Sequence, residues 1–212
     1  MRHYSLLDKG LLQIDRATRA VFGDNTPHTR AYPAQNITEP PLEKNERKQA
    51  EGIMRINHAG EVCAQALYHG QALTSKNRTT REQLEEAARE EGDHLAWCER
   101  RLQELQGHTS RLNPFWYAGS FFIGAATGLL GDQWSLGFVA ETETQVIEHL
   151  ERQCLRLPAN DQRSPAILKQ MAEDEAHHRA TAMAKGATPL PRPIKKIMAF
   201  CSKIMVNVAF YV

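Results

Sequence analysis

Two short stretches, Glu91-x-x-His94 and Glu175-x-x-His178, hold a carboxylate and an imidazole three residues apart, which on a helix places both on one face. A further glutamate precedes each, Glu61 by 30 residues and Glu143 by 32, so each half of the chain reads Glu, turn, Glu-x-x-His. All four glutamates stand where an apolar stripe would put a core residue. Glu91 falls seven after Leu84 and seven before Cys98, and Glu175 seven after Leu168 and seven before Ala182. Burying even one unpaired carboxylate costs several kcal/mol, so four in one core require positive charge among them. A pair of metal ions bound by Glu61, Glu91, His94, Glu143, Glu175 and His178 supplies it. Oxygen-rich ligands with two nitrogens favour iron or manganese over zinc or copper(I), with iron first. Two such ions with open coordination positions can bind and reduce O2. Glu90 and Asp174, each one residue before a motif glutamate, are placed to orient a histidine by hydrogen bonding.

The elements that position these groups follow from the apolar spacing. One helical stripe runs from about Leu42 to Ser75. A second follows the polar turn at Lys76 to Thr80 and ends at Gly107, read as its C-terminal cap. A third spans Leu136 to Leu157 and stops at Pro158, and a fourth runs from Leu168 to Gly186. At the helical rise per residue, Glu61 and Glu91 reach one level across the turn at Asn77, as Glu143 and Glu175 do across Pro158 to Ser164. The expected architecture is all-α: a ferritin-like four-helix bundle of two hairpins joined by a long crossover over residues 108–131. Residues 1–41 form an N-terminal helix, around residues 3–22, and a Pro-rich linker carrying Pro27, Pro33, Pro40 and Pro41; residues 42–212 form the domain that holds the site.

Within the crossover, Leu112 to Gly131 carries no charge. Asn113, Pro114 and interspersed Gly and Ser dilute its apolar character, so a buried or interfacial segment is expected rather than a membrane span. Gly124-x-x-x-Gly128 reads as a close helix-packing surface. The segment Ile194 to Val212 places Ile194, Ile197, Met198, Cys201, Ile204, Met205 and Val208 on one face beside Lys195, Lys196 and Lys203, the pattern of an additional amphipathic surface helix. Together these two segments point to a membrane surface.

The composition narrows the remaining classes. With 212 residues, 42% of them hydrophobic, the chain can bury a sizeable core, and 26 Lys+Arg against 25 Asp+Glu leave a net charge of +1, no global field for nucleic acid. Cys63, Cys98, Cys154 and Cys201 form no CxxC pair and read as reduced thiols, and Met1 to Gly10 lacks a signal-peptide core, so a cytoplasmic compartment is expected. No Gly-rich dinucleotide fingerprint marks an electron donor's site. Among other candidate residues, Tyr68 lies one heptad after Glu61 and can line a substrate path. His58 and His149 lie near the metal level. Arg55, Trp116 and Tyr117 could meet a polar headgroup or a quinone. His3, His28, His69, His108 and His177 look incidental.

In the blocks RINHAGEVCAQALYHGQAL, EEGDHLAWCERRL, SLGFVAETETQVIEHL and MAEDEAHHRATA, the chain resembles the demethoxyubiquinone hydroxylase family, carboxylate-bridged di-iron monooxygenases of ubiquinone biosynthesis. The resemblance runs from about residue 42 to the C-terminus. It implies the same six ligands, with Glu91 and Glu175 bridging two irons. It also places His149 near a quinone pocket, next to Leu150 where some family members carry tyrosine. The implied reaction is ring hydroxylation of a polyprenyl methoxy-methyl-benzoquinol, or its quinone, with O2 and two electrons. A lipid-resident substrate in turn implies a peripheral protein on the cytoplasmic face of the cell membrane, alone or with homo-oligomer or biosynthetic partners. Two other readings fit the inward carboxylates: a ferritin-like iron-oxidising storage or peroxide-removing protein, and a metal-free helical membrane adaptor in which Arg55 or lysines pair with the glutamates.

Overall fold

The computed structural model describes residues 5–23 and 30–212. Seven helices appear and, among the described residues, no strand: α1 (Leu6–Phe22), α2 (Lys44–Thr74), α3 (Arg78–Glu104), α4 (Asn113–Leu129), α5 (Asp132–Cys154), α6 (Arg163–Ala184) and α7 (Arg192–Ala209). Pro27, His3 and His28 lie outside the described residues.

The ends are set by local chemistry. Ser5 caps α1, its hydroxyl accepting from the Asp8 amide at 3.2 Å while the Asp8 carboxylate accepts from the Ser5 amide at 2.8 Å. Asn77 caps α3 by accepting from the Thr79 amide at 2.8 Å. Gly186, at φ +91°, takes the left-handed position that closes α6, with the Ala187 amide donating back to the Ala182 carbonyl at 3.2 Å. At the end of α3 the left-handed residue is Gln106 (φ 59°), and Gly107 is the next residue, whose amide donates to the Leu102 carbonyl at 2.8 Å. Gly107 is there for space, because a Cβ would collide with the Glu51 side chain on α2.

The α2–α3 and α5–α6 hairpins form the four-helix bundle. Two apolar plugs close its ends. Ile53, Met54, Trp97, Cys98, Leu150, Ile167, Leu168 and Met171 fill one, with Tyr32 and Ala34 from the segment before α2 packed into it. Tyr68, Ala72, Leu84, Ala88, Leu136, Val139 and Ala182 fill the other. The glutamates and histidines form the layer between them. Arg101, fully buried in α3, joins the first plug to the loops by ion pairs to Glu39 at 2.7 Å and Asp161 at 3.0 Å and to the start of α6 by a hydrogen bond to Ser164 at 2.9 Å.

The uncharged segment folds as α4 and lies along α2. Gly124, Gly128 and Gly70 let the two backbones touch: a Cβ on Gly124 would strike the Leu67 carbonyl and one on Gly70 the Phe121 carbonyl. The Gly-x-x-x-Gly pair is therefore packing surface, and Gly124→Leu is expected to lower stability by roughly 1–3 kcal/mol or more through overpacking. Gly119→Leu, where a Cβ meets nothing within 4 Å, should leave the thermal midpoint nearly unchanged; equal midpoints for the two variants would contradict this packing. The outer side of α4 stays apolar and open, with Phe115 73% and Phe122 70% exposed. No described helix is long and apolar enough to cross a membrane.

Candidate metal centre

Glu61 comes from α2, Glu91 and His94 from α3, Glu143 from α5, and Glu175 and His178 from α6; all six are buried. Their ligand atoms form two groups, each with all its atoms within 4.8 Å of one another: Glu61, Glu91, His94 and Glu175 in one, and Glu91, Glu143, Glu175 and His178 in the other. Glu91 and Glu175 belong to both. His94 Nδ1 lies 3.0 Å from Glu91, 3.2 Å from Glu175 and 3.4 Å from Glu61, and His178 Nδ1 lies 3.0 Å from Glu175.

The opposite ring nitrogens are held across the bundle. His94 Nε2, on α3, meets Asp174 of α6 at 2.9 Å, and His178 Nε2, on α6, meets Glu90 of α3 at 2.6 Å. Each hairpin thus orients the other's histidine. A carboxylate that accepts the Nε2 proton leaves the Nδ1 lone pair facing the cluster, the tautomer a ligand needs. On the α5 side the Tyr68 hydroxyl donates to Glu143, and its ring stands edge-on to His178 with centroids 6.3 Å apart.

Without a cation the cluster must share protons. Burial, reinforced by Glu175 and Glu61, pushes the Glu91 carboxyl well above its ordinary range, and burial with Glu175 and Glu91 does the same to Glu143. Burial would raise Glu175 as well, but hydrogen bonds from His178 and His94 outweigh it and hold its pKa at about 2. Burial opposes charge on His178, yet Glu175 and Glu143 lift it to about 9, and Asp174 and Glu175 lift His94 well above the usual imidazole value against the same opposition. Burial, with Glu143 beside it, pushes the Tyr68 phenol up. Two buried oxygens, Glu91 Oε1 and Glu143 Oε2, receive no hydrogen bond. Unpaired buried acceptors in a pocket of four carboxylates and two imidazoles fit a pair of hard or borderline cations.

Other residues singled out from the sequence have partners of their own. Arg55 is buried and donates to the carbonyls of His108 at 2.9 Å and Phe210 at 2.7 Å while pairing with Glu51; it ties α2 to the α3–α4 loop and the end of α7 and does not reach the cluster. It therefore neutralises none of the inward glutamates. His149 meets Gln153 at 3.1 Å, and burial lowers its pKa to about 4. His58 faces Asn113 at 3.4 Å, and burial likewise lowers it to about 4. His69 and Tyr117 bond one another at 3.0 Å between α2 and α4, so the Tyr117 hydroxyl points inward and not toward a headgroup. Trp116 packs against the buried cluster of Ile56, Ala59 and Ala209. Arg30, which no spacing singles out, clamps Asp174 through two nitrogens.

A cleft of about 140 Å³ between α3 and α6, bounded by Tyr68, Leu84, Glu90, Leu136, Val139 and His178, opens beside the cluster at His178. An enclosed cavity of roughly 150 Å³ holds a benzene molecule, so the cleft is of the order of one unsubstituted ring in volume.

Two helical hairpins carrying this carboxylate and histidine cluster between apolar plugs define a ferritin-like bundle with a pocket able to hold metal. The family Ubiquinone biosynthesis protein COQ7 matches residues 48–209, and the chain belongs to that family. Among its relatives, a protein of Nitrosococcus oceani named 3-demethoxyubiquinol 3-hydroxylase is 52% identical over 211 residues, covering 100% of this chain and 99% of the relative. Proteins of the same name from Acinetobacter baumannii, 50% identical, and Coxiella burnetii, 49% identical, match over 211 residues and cover 100% of this chain and 100% and 98% of their own lengths.

Proposed function

We propose that this chain hydroxylates the ring of a polyprenyl methoxy-methyl-benzoquinol in ubiquinone biosynthesis, as a monooxygenase that uses O2 and two bound iron ions. It is a hydroxylase of that pathway, in keeping with relatives about half identical to it over their full length. The observation that carries the iron reading is the sharing of Glu91 and Glu175 between the two ligand groups, which suits two ions joined by two carboxylates.

Glu61, His94, Glu91 and Glu175 would hold one iron, and Glu143, His178, Glu91 and Glu175 the other. Bound there, the iron pair supplies O2 binding and reduction. The protein's own contribution is positional. Asp174 and Glu90 fix the imidazoles, and the Tyr68 hydroxyl holds a proton against Glu143 at the mouth of the cleft. Leu136 and Val139 give that cleft apolar walls for a quinol ring.

The lipid-resident substrate is reached from a membrane surface. Leu7, Leu11 and Ile14 of α1, the outer side of α4, and Ile197, Phe200 and Ile204 of α7 are all exposed, and the three helices pack around α2. These apolar faces suit peripheral attachment to the cytoplasmic face of the cell membrane and oppose the polar exterior that an iron-storage shell requires.

Anaerobic loading with ferrous iron followed by metal analysis tests the reading. The expected result is about two irons per chain and, with O2 and a reductant, one hydroxyl added to a short-tailed demethoxyubiquinol. Iron oxidation without ring hydroxylation would favour the storage reading, and no iron uptake would remove both.

A further inference from the structure

The two halves of the cluster repeat one pattern, but their outer supports differ. Asp174, which holds His94 Nε2 at 2.9 Å, is itself gripped by Arg30, with Nη1 2.5 Å from Oδ2 and Nη2 3.1 Å from Oδ1; Gln170 also donates to Oδ1 at 3.2 Å. The Arg30 guanidinium also lies over the Trp97 ring, 4.9 Å from its centroid, and Trp97 packs against the His94 ring with centroids 5.2 Å apart. Arg30 thus fixes His94 by two routes, one polar and one through ring packing. On the other side, Glu90 holds His178 Nε2, its side chain is 38% exposed, and among the described residues no arginine or lysine pairs with it. Arg30 lies before α2 and outside residues 48–209 that match the family.

We infer that Arg30 is a positioning residue that makes the two metal sites unequal: it locks Asp174 and His94 so that the Glu61/His94 site holds its ion tightly, while the Glu143/His178 site, whose histidine is held at Nε2 by the half-exposed Glu90 alone, is the labile one. A planar guanidinium that bonds both carboxylate oxygens fixes the carboxylate's rotation as well as its position, which a point charge does not. Asp174 therefore presents one oxygen to His94 Nε2 in a fixed direction. Glu90 has no such brace and can swing toward solvent, releasing His178. Outer partners of metal-bound histidines typically change metal affinity about 10–100-fold. The inference rests on the two-iron reading above.

The test loads the full chain with ferrous iron under anaerobic conditions, follows iron loss to a chelator, and measures the occupancy of each site by anomalous scattering from crystals. The wild-type protein is expected to lose one iron quickly and one slowly, the slow one next to His94. In Arg30→Met the slow phase should accelerate by about tenfold or more, with occupancy falling at the His94 site and not at the other; Arg30→Lys should lie between. Glu90→Gln should act in the opposite place, on the His178 site. Unchanged release in Arg30→Met, or equal loss at both sites, would overturn the inference while leaving the two-iron reading intact. A wild-type chain that takes up no iron would overturn both. A change in thermal midpoint alone, without site-selective loss, would make Arg30 a merely structural contact and also count against it.

Discussion

Glu175→Ala is expected to abolish metal binding and hydroxylation together. Glu175 contributes to both ligand groups and lies 3.2 Å from His94 Nδ1 and 3.0 Å from His178 Nδ1, so its removal leaves each site short of a ligand and both imidazoles without their common anion. The loss in metal affinity should exceed the 100-fold or so that disruption of an outer partner alone can cost. The metal-free protein should suffer as well. Glu175 is held ionised, with its pKa at about 2, against two imidazoles that are both raised. Breaking a buried charge pair on one side costs about 3–5 kcal/mol, visible as a lowered thermal midpoint without iron. Glu175→Gln, which keeps the shape and removes the charge, should recover part of that stability and none of the iron. Full iron content and full activity in Glu175→Ala would end the assignment of this cluster as the metal centre.

Iron loading should depend steeply on pH. In the cation-free pocket, protons sit on Glu91 and Glu143, whose pKa values are raised well above the ordinary carboxylate range, and on His178, raised to about 9. Metal must displace these protons before it can take the same lone pairs, so protons compete with iron. The sign follows: each group has a raised pKa without metal, so affinity falls as pH drops and gains as pH rises toward about 9. Competition against a chelator of known proton affinity, from about pH 6 to 9, should show a rising apparent affinity and net proton release on binding. An affinity constant across that interval, once the chelator's own protonation is corrected, would mean that the ligand atoms are already deprotonated and that these carboxylates lie apart from the binding site.

The four bundle helices and the cluster are legible in the sequence because one device produces both. A seven-residue apolar rhythm defines the inner face, and a glutamate inside that rhythm must point inward; Tyr68, seven residues after Glu61, is on the same face and bonds Glu143. The same arithmetic shows why Arg55 falls away from the cluster. Arg55 is six residues before Glu61, which at about 100° per residue turns it by about 120° from that glutamate. Nearness along the chain is not nearness across the helix. The path of α4 was half legible: its uncharged run foretold burial or an interface, but only the backbone contacts at Gly70, Gly124 and Gly128 tell which side packs on α2 and which stays open. Arg30 and Arg101 were not legible at all. Each has partners more than fifty residues away that no periodicity marks: Arg30 with Asp174, and Arg101 with Glu39 and Asp161. The end of α3 differs for a steric reason, since Gly107 is required by the closeness of Glu51 and the left-handed turn falls to Gln106.

The crossing of the outer supports has an architectural consequence. Asp174 precedes the glutamate of its own motif yet serves the histidine of the opposite hairpin, and Glu90 does the same in return. One hairpin by itself can therefore neither assemble half a centre nor keep its own histidine in register. The pattern acid, Glu, x, x, His is complementary to a copy of itself turned about a two-fold axis. A designed chain that carried one such hairpin could complete the whole pocket by pairing with an identical partner, and the smallest heritable unit of this chemistry is a motif that works only in duplicate.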